Sequence, residues 1–215
     1  MSAPSRPLLR SDITGLVLAG GRGSRMGGED KGLLVLDGQT LAERAAARLA
    51  PQVASVALNA NRNAARYAAF GHPVWPDADG TLPGPLAGFL AGLQHCTTDY
   101  LATVACDTPD FPPDLVARLA AALHEAGADM AMAALQVNGA PKAEPVFCLL
   151  HVSLRGALAA ALTGGERRVR GWALQQRCVD VVFDEPAAFV NVNTPEELAA
   201  RASRSARPVP GPPGC

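Results

Sequence analysis

The sequence predicts an α/β protein of three layers, an α/β/α fold in which helices cover both faces of a mostly parallel central sheet. Strand-like apolar runs alternate with helical stretches from residue 13 to about residue 135, which is the pattern of right-handed βαβ units. The apolar runs are also nearly continuous, as expected for parallel strands that are buried on both faces.

The elements of the first half are bounded by recognisable start and stop residues. A buried strand is predicted over residues 13–19, and a capping box formed by Thr40 and Glu43 predicts a helix over about residues 41–50. Further strands are predicted at residues 53–59, 73–75 and 100–106, and further helices at residues 64–70, 85–96 and 112–126.

The second half is predicted to mix both kinds of element. Strands are predicted at residues 129–137, 145–150 and 178–183, and helices at about residues 152–163 and 169–176. A turn at Asn138 and Gly139 separates the first two of these strands. Thr194 and Glu197 predict a second capping box, which would begin a last helix.

Composition narrows the class of protein. The 215 residues are 48% hydrophobic and 18% charged, with a formal net charge of −1. This balance excludes a disordered chain and gives no sign of binding to nucleic acid or to an anionic membrane. The five cysteines form no CxxC pair and are odd in number, which favours reduced thiols. No apolar run approaches the roughly 18 residues of a membrane span, so we expect a soluble cytoplasmic protein.

Domain boundaries follow from the two ends of the sequence. Residues 1–12 lack the apolar core of a signal peptide and are expected to be flexible. Residues 203–215 contain four prolines and are expected to form a disordered tail. Residues 13–202 would then form a single domain.

The segment LAGGRGSRMGGEDKGLL follows the first predicted strand. It is not a dinucleotide-binding GxGxxG loop, because Met26 replaces the third glycine, and it is not a Walker A loop, because Asp30 precedes the lysine. Glycine amides together with Arg22, Arg25 and Lys31 nevertheless suit a polyphosphate. The alternative is an ordinary mobile loop with solvated arginines.

Other polar residues also follow predicted strands. Ligands of such sheets lie beyond the carboxyl ends of the strands, so we expect the glycine-rich segment, Asn59, Asp77 and Asp107 to converge on one rim. Each has an alternative interpretation: Asn59 and Asp77 could be turn residues, and Asp107 could cap the helix that starts near Pro109. Asp110 could fill that capping role equally well.

The amino-acid sequences of these segments resemble those of one protein family. The glycine-rich segment is similar to the pattern LAGGxxxRMGxxK of nucleotidyltransferases, and among them it looks most like the molybdenum cofactor guanylyltransferases, the MobA family. The resemblance continues in PDADGTLPGPLAGFLAGL, ACDTPDFPPDL, GERRV and FVNVNTPEEL, and it covers the chain from about residue 13 to residue 200. It implies a Rossmann-like nucleotidyltransferase fold.

The resemblance also implies a reaction. GMP would pass from GTP to the terminal phosphate of molybdopterin, or of its molybdenum-bound form, with release of pyrophosphate and with Mg²⁺ as the cofactor. Residues 13–135 would bind the nucleotide and residues 136–202 the acceptor. Molybdoenzyme maturation proteins are possible partners, nucleic acid and membranes are not expected, and we expect a monomer.

Site residues are carried over on matching positions of the family pattern. The resemblance implies catalytic roles for Lys31, Arg25 and Asp107, and it implies that Asp107 also binds the metal. Nucleotide binding is assigned to Leu18, Ala19, Gly20, Gly21, Lys31, Asn59, Asp77 and Asp107. Acceptor binding is assigned to Arg167, Arg168, Asn191 and Asn193. For the two arginines, the alternative interpretation is a solvated helix start.

Two rival functions and one departure from the family stay open. Related cytidylyltransferases usually read LAAG where this chain reads LAGG, and the missing Cβ at Gly21 favours a larger purine base. A molybdopterin carrier without catalytic activity could lose Lys31 or Asp107, and both are present. Glu144 stands where the family often has histidine, so that residue either contributes to pterin binding or is simply part of a strand edge.

Overall fold

The computed structural model describes residues 6–19, 30–77, 84–137, 139–192 and residue 197. The predictions for Gly20, Gly21, Arg25, Asn138, Asn193, Thr194, the last helix and the proline-rich tail lie outside the described residues. Within the described residues, no helix combines the length and apolar character that crossing a membrane would require.

Strands and helices follow one another along the chain. The strands are β1 (Ile13–Leu18), β2 (Val35–Leu36), β3 (Gln39–Thr40), β4 (Ser55–Asn59), β5 (Tyr100–Ala105), β6 (Met130–Val137), β7 (Ala140–His151) and β8 (Cys178–Phe183). The α-helices are α1 (Leu41–Leu49), α2 (Ala64–Ala68), α3 (Pro85–His95), α4 (Leu115–Ala126), α5 (Arg155–Thr163) and α6 (Val169–Ala173).

A six-stranded sheet forms the centre of the molecule, in the order β4, β1, β5, β7, β6, β8. Strand β7 runs antiparallel to both of its neighbours, and the remaining neighbours are parallel pairs. The predicted mostly parallel sheet is therefore confirmed.

Successive residues of β1 face opposite layers. Val17 packs into an apolar cluster that includes Leu49 of α1 and Leu119 of α4. Leu16 packs into a second cluster, which includes Phe89 of α3 and Trp172 of α6. Because both faces of the sheet are covered, the central strands read as continuous apolar runs. The three-layer prediction is confirmed.

The first capping box forms as predicted. The Glu43 amide donates to Thr40 Oγ1 at 3.2 Å, and the Thr40 amide donates to Glu43 Oε2 at 2.9 Å. These two bonds satisfy amide groups that the first turn of α1 leaves without intrahelical partners.

Several boundaries differ from the predictions. Helix α4 begins at Leu115 with Asp114 at its N-cap position, so the helix-capping interpretation of Asp107 and Asp110 is wrong. The predicted strand at residues 73–75 is reduced to a bridge between Leu58 and Val74. Strand β7 is longer than predicted, α6 is shorter, and the β2–β3 hairpin was not predicted.

Candidate active site

The carboxyl ends of three neighbouring strands meet at one level. Leu18 of β1 is in register with Asn59 of β4 on one side and with Ala105 of β5 on the other. The Ala19 amide donates to the Asn59 carbonyl at 2.9 Å, and the Cys106 amide donates to the Leu18 carbonyl at 3.1 Å. The residues that follow these strands therefore emerge side by side at one rim of the sheet.

Lys31 and Asp107 face each other at this rim. The Lys31 ammonium lies 3.3 Å from Asp107 Oδ2, and about four fifths of each side chain is shielded from solvent, with 21% and 19% exposed. The Asp107 carbonyl accepts a bond of 2.7 Å from the Val192 amide, which fixes the backbone that carries the carboxylate. A cation and a carboxylate are thus held together although 76 residues separate them.

Asp77 is held by two asparagines that extend from the end of β4. Asn59 donates to Asp77 Oδ1 at 2.9 Å, and Asn61 donates to Asp77 Oδ2 at 2.7 Å. The Asn61 side-chain oxygen in turn accepts from the Asp77 amide at 2.8 Å. An ionised carboxylate has about four lone-pair sites, so each oxygen of Asp77 keeps capacity for a further donor.

Asn59 itself is a supporting residue in this network. Its side-chain amide donates both to the Trp75 carbonyl, at 2.8 Å, and to Asp77, and the residue is 5% exposed. A Cβ on Gly88 of α3 would lie 2.5 Å from Asn59 Oδ1, so the helix packs directly against the amide. Because Asn59 is the last residue of β4, its interpretation as a turn residue is wrong.

The two predicted acceptor-side arginines differ in their surroundings. Glu166 Oε1 accepts from the backbone amides of Arg167 and Arg168, each at 2.8 Å, and these bonds lower the pKa of Glu166. The Arg167 guanidinium donates to the Leu162 carbonyl at 2.8 Å, at the end of α5. The Arg168 side chain is exposed at the start of α6. Only Arg168 fits the solvated helix start.

Asn191 contacts Thr108, the residue that follows Asp107. Its side-chain oxygen accepts a bond of 2.6 Å from the hydroxyl of Thr108, which is fully buried. The neighbouring Val192 amide is bound to the Asp107 carbonyl. A segment from the predicted acceptor-binding half therefore crosses to the end of β5.

Glu144 lies where strand β7 departs from regular pairing. The register of β6 and β7 shifts between Met132 and Ala134, and the Thr103 hydroxyl donates to the Val146 carbonyl at 2.6 Å. Partial burial raises the pKa of the Glu144 carboxyl. The residue therefore belongs to an irregular part of the strand rather than to a plain strand edge.

Three residues of the site were missed by sequence reasoning. Asn61 could have been found, because residues two apart along an extended segment point to the same side and Asn59 was already a candidate. Thr108 and Tyr67 act through partners that are distant in sequence. Tyr67 donates to Asp30, directly before Lys31, and no local pattern announces that contact.

The donors at the rim decide whether a divalent metal could bind there. Asp107 offers a hard oxygen donor at a rigid strand end, beside a lysine that suits phosphate. Among the described residues, histidine, cysteine, aspartate and glutamate side chains form no group of three or more that could hold a metal. Mg²⁺ usually takes one or two protein carboxylates and completes its shell with phosphate oxygens and water. The donors present fit such an ion.

The rim combines a shielded lysine, a carboxylate and a network of acceptors beside the carboxyl ends of neighbouring parallel strands, where open α/β sheets bind their ligands. This arrangement suits an anionic ligand such as a nucleotide. The family model of the MobA-like NTP transferase domain matches residues 15–181. The chain belongs to this family, and it is a nucleotidyltransferase.

Curated relatives are similar over nearly their whole length. The molybdenum cofactor guanylyltransferase of Bordetella pertussis is 53% identical over 189 residues, which cover 88% of this chain and 96% of the relative. The molybdenum cofactor guanylyltransferase of Cupriavidus taiwanensis is 50% identical over 198 residues, covering 92% and 100%. The family resemblance seen in the sequence is confirmed.

Solved structures confirm the fold. Molybdopterin-guanine dinucleotide biosynthesis protein A from Archaeoglobus fulgidus superposes with a TM-score of 0.72 at 24% identity, covering 89% of this chain and 97% of that one. The 4-diphosphocytidyl-2C-methyl-D-erythritolsynthase from Anaerococcus prevotii gives the same TM-score, 0.72, at 9% identity, covering 92% and 97%. The fold alone therefore does not decide which base is bound.

Proposed function

We propose that this protein transfers GMP from GTP to the terminal phosphate of molybdopterin, releasing pyrophosphate and forming molybdopterin guanine dinucleotide. The observation that carries the proposal is the pairing of Lys31 with Asp107 at the sheet rim. It occurs in a chain that is 53% identical to a molybdenum cofactor guanylyltransferase over 88% of its length.

The reaction needs alignment and charge neutralisation more than it needs a base. A phosphate monoester is already largely ionised at pH 7, so its oxygen can attack the α-phosphorus of GTP while the bond to pyrophosphate breaks. No covalent enzyme intermediate is required. The protein has to hold the two phosphates in line and offset their negative charge.

Lys31 supplies the fixed positive charge. Its ammonium is already located opposite Asp107, so it does not have to be brought in from solvent. A shielded lysine at that position interacts with the triphosphate more strongly than one in bulk water would. Arg25 and the amides of Gly20 and Gly21 are proposed to contribute further donors.

Asp107 is proposed to hold Mg²⁺ together with phosphate oxygens. When bound there, the ion would neutralise triphosphate charge and favour departure of pyrophosphate. The bond between the Asp107 carbonyl and the Val192 amide keeps the carboxylate at the strand end.

Asp77 is proposed to read the guanine base. Its two oxygens are oriented by Asn59 and Asn61 and can each accept one more donor. Guanine offers two adjacent donors, the N1–H and the 2-amino group, whereas adenine presents an acceptor at N1. Leu18 and Ala19 are proposed to line the nucleotide through their backbone.

Residues 136–202 are proposed to bind the acceptor. Arg168 is exposed and offers a planar donor group that suits a phosphate. Asn191 lies beside Asp107 and Thr108, so its side chain is well placed for a molybdopterin phosphate approaching the α-phosphorus. Arg167 and Asn193 are proposed to complete this side.

The protein is proposed to act as a cytoplasmic monomer. Its described cysteines, Cys96, Cys106, Cys148 and Cys178, are free thiols. Burial raises the pKa of Cys106 and Cys148, which keeps these thiols protonated and poorly reactive at neutral pH.

Mass spectrometry of the product tests the proposal directly. Purified protein would be incubated with GTP, Mg²⁺ and molybdopterin, and pyrophosphate would be measured in parallel. We expect one GMP unit added to molybdopterin for each pyrophosphate released. Pyrophosphate release without an adduct would contradict the proposal, because GMP would then be passing to water or to another acceptor. A folded protein that releases no pyrophosphate and transfers nothing would contradict it as well and would favour the carrier.

A further inference from the structure

Tyr67 forms a polar contact that the proposed reaction does not explain. The residue is fully buried, and its hydroxyl donates to Asp30 Oδ1 at 2.6 Å. The same hydroxyl lies 3.4 Å from the Ala19 carbonyl, which follows β1 directly. One phenol therefore joins Ala19 to Asp30 across the interior of the protein.

Asp30 is held through its second oxygen as well. The Asn63 side chain donates to Asp30 Oδ2 at 2.9 Å. Asn63 precedes α2 in a left-handed backbone conformation with φ of 53°, which asparagine tolerates better than most residues do. Both oxygens of Asp30 are thus bound by side chains of one short helix, from its N-cap residue and from its fourth residue.

Gly32 leaves the space that this arrangement needs. A Cβ on Gly32 would overlap the Tyr67 hydroxyl and would lie 3.2 Å from the Ala19 Cβ. Because the Tyr67 ring is fully buried, the hydroxyl cannot move away freely. Gly32, directly after Lys31, therefore allows the backbone to pack closely against the Tyr67 hydroxyl.

We infer that Asp30, Asn63 and Tyr67, here called the Asp30 clamp, position Lys31 opposite Asp107 for the transfer reaction. This inference rests on the proposed function and adds to it three positioning residues. It is carried by the bonds on both Asp30 oxygens and by the close approach of Gly32 to Tyr67.

The backbone transmits the constraint. Asp30 is the N-cap residue of the 3₁₀-helix Lys31–Leu33, and its carbonyl accepts from the Leu33 amide at 3.0 Å. Fixing Asp30 therefore fixes where the Lys31 side chain begins and in which direction it leaves the backbone. A lysine side chain loses rotamer entropy when it is ordered, so a fixed origin lowers the cost of placing its ammonium.

The electrostatics of the clamp favour a permanent bond. Burial and the neighbouring Asp30 carboxylate both raise the pKa of the Tyr67 phenol. The phenol therefore remains protonated at neutral pH and able to donate to Asp30.

Tyr67→Phe removes the hydroxyl while keeping the ring, and Tyr100→Phe is the matched control. Tyr100 is also buried, at 5% exposure, but its hydroxyl makes no hydrogen bond to another described residue. We expect Tyr67→Phe to lower kcat about tenfold, as for loss of a bond to a charged group, with the KM for molybdopterin unchanged. Tyr100→Phe should leave both values near those of the wild type.

A reciprocal exchange provides a rescue. Asp30→Asn places two amide groups against each other at Asn63, and Asn63→Asp places two carboxylates together, so each single variant should lose kcat. The double variant Asp30→Asn/Asn63→Asp restores the bond with donor and acceptor exchanged, and asparagine at position 30 still accepts from Tyr67. We expect the double variant to recover most of the lost turnover.

Lysine resonances give a readout that does not depend on turnover. The chain has two lysines, Lys31 and Lys142, so lysine labelled with ¹³C at Cε gives two side-chain signals, and Lys142 is exposed. In Tyr67→Phe we expect the Lys31 signal to move towards that of free lysine while the Lys142 signal stays in place.

The outcomes separate the clamp from the proposed function. An unchanged Lys31 signal and unchanged kcat in Tyr67→Phe would overturn the inference, as would equal losses in Tyr67→Phe and Tyr100→Phe or failure of the double variant to recover. If the wild type transfers no GMP but the Lys31 signal still shifts as expected in Tyr67→Phe, the proposed function fails and the Asp30 clamp stands.

Discussion

The rim of the sheet and the proposed acceptor side, here the turn that carries Arg167 and Arg168, are held in place by different kinds of contact. At the rim, bonds join residues far apart in sequence, such as Lys31 with Asp107 and Asn59 with Asp77. In the turn, Arg167 is held by carbonyls within five residues of it, and Arg168 is exposed. The rim is preorganised by the sheet, whereas this turn is organised by local bonds.

This difference predicts which kinetic parameter, kcat or KM, each group of variants should change. Preorganised charge at the reacting phosphates contributes mainly to the transition state and therefore to kcat. A group on an exposed turn contributes mainly to binding of the acceptor and therefore to KM. Rim variants should lose turnover, and acceptor-side variants should lose affinity.

The largest effect is expected at Asp107. Asp107→Asn should lower Mg²⁺-dependent turnover by about 10² to 10³, the usual cost of removing one electrostatic contributor, and Lys31→Ala should show a comparable loss. Steady-state pyrophosphate release measures turnover, and circular dichroism checks that the fold is kept. Near-normal turnover with unchanged magnesium dependence would remove Asp107 from the mechanism.

A smaller effect is expected at Asp77. Asp77→Asn places amide donors near Asn59, Asn61 and guanine, so kcat/KM for GTP should fall about 10- to 100-fold, or roughly 1 to 3 kcal/mol. Asp184→Asn, at an exposed position, is the matched control. Equal kcat/KM values in the two variants would show that Asp77 does not contact the base.

The smallest effect on chemistry is expected at Arg168. Arg168→Ala should raise the KM for molybdopterin about tenfold through loss of a charge-assisted hydrogen bond, while kcat at saturating acceptor stays near the wild-type value. Arg155→Ala, also exposed, is the control. A fall in kcat with unchanged KM would break the division between the rim and the acceptor side.

Arg167→Ala should differ from Arg168→Ala in stability. The Arg167 guanidinium donates to the Leu162 carbonyl at the end of α5 and to the Glu166 carbonyl beyond it, so its loss should lower the free energy of unfolding by about 0.5 to 1.5 kcal/mol. Urea denaturation monitored by circular dichroism measures this. Equal stability of the two variants would show that these bonds contribute nothing measurable.

Much of the rim could be predicted from sequence because it depends on local signals. A buried strand followed by a polar residue placed Asn59 and Asp107 at strand ends, and Thr40 with Glu43 announced the start of α1. Parallel strands bring such ends together whatever their order in the sheet. The convergence of these residues at one rim could therefore be predicted without knowing the strand order.

The remaining features depend on long-range pairing. Strand β7 is antiparallel and changes its register with β6 between Met132 and Ala134, which no local pattern encodes. The Tyr67–Asp30 contact joins residues that are 37 positions apart. The β2–β3 hairpin did carry a signal, because Asp37 and Gly38 both adopt positive φ and Asp-Gly is typical of such turns.

A nucleotide competition assay tests the central claim, guanylyl transfer, most directly. The wild-type protein would receive molybdopterin with equal GTP, CTP and ATP, and the products would be separated by mass. CTP would leave two polar groups unpaired at roughly 1 to 3 kcal/mol each, so GMP transfer should exceed CMP transfer by a factor of about 30 or more. ATP should also be rejected, because it lacks the 2-amino group and presents an acceptor at N1. CMP transfer equal to or greater than GMP transfer would contradict the account and identify a cytidylyltransferase.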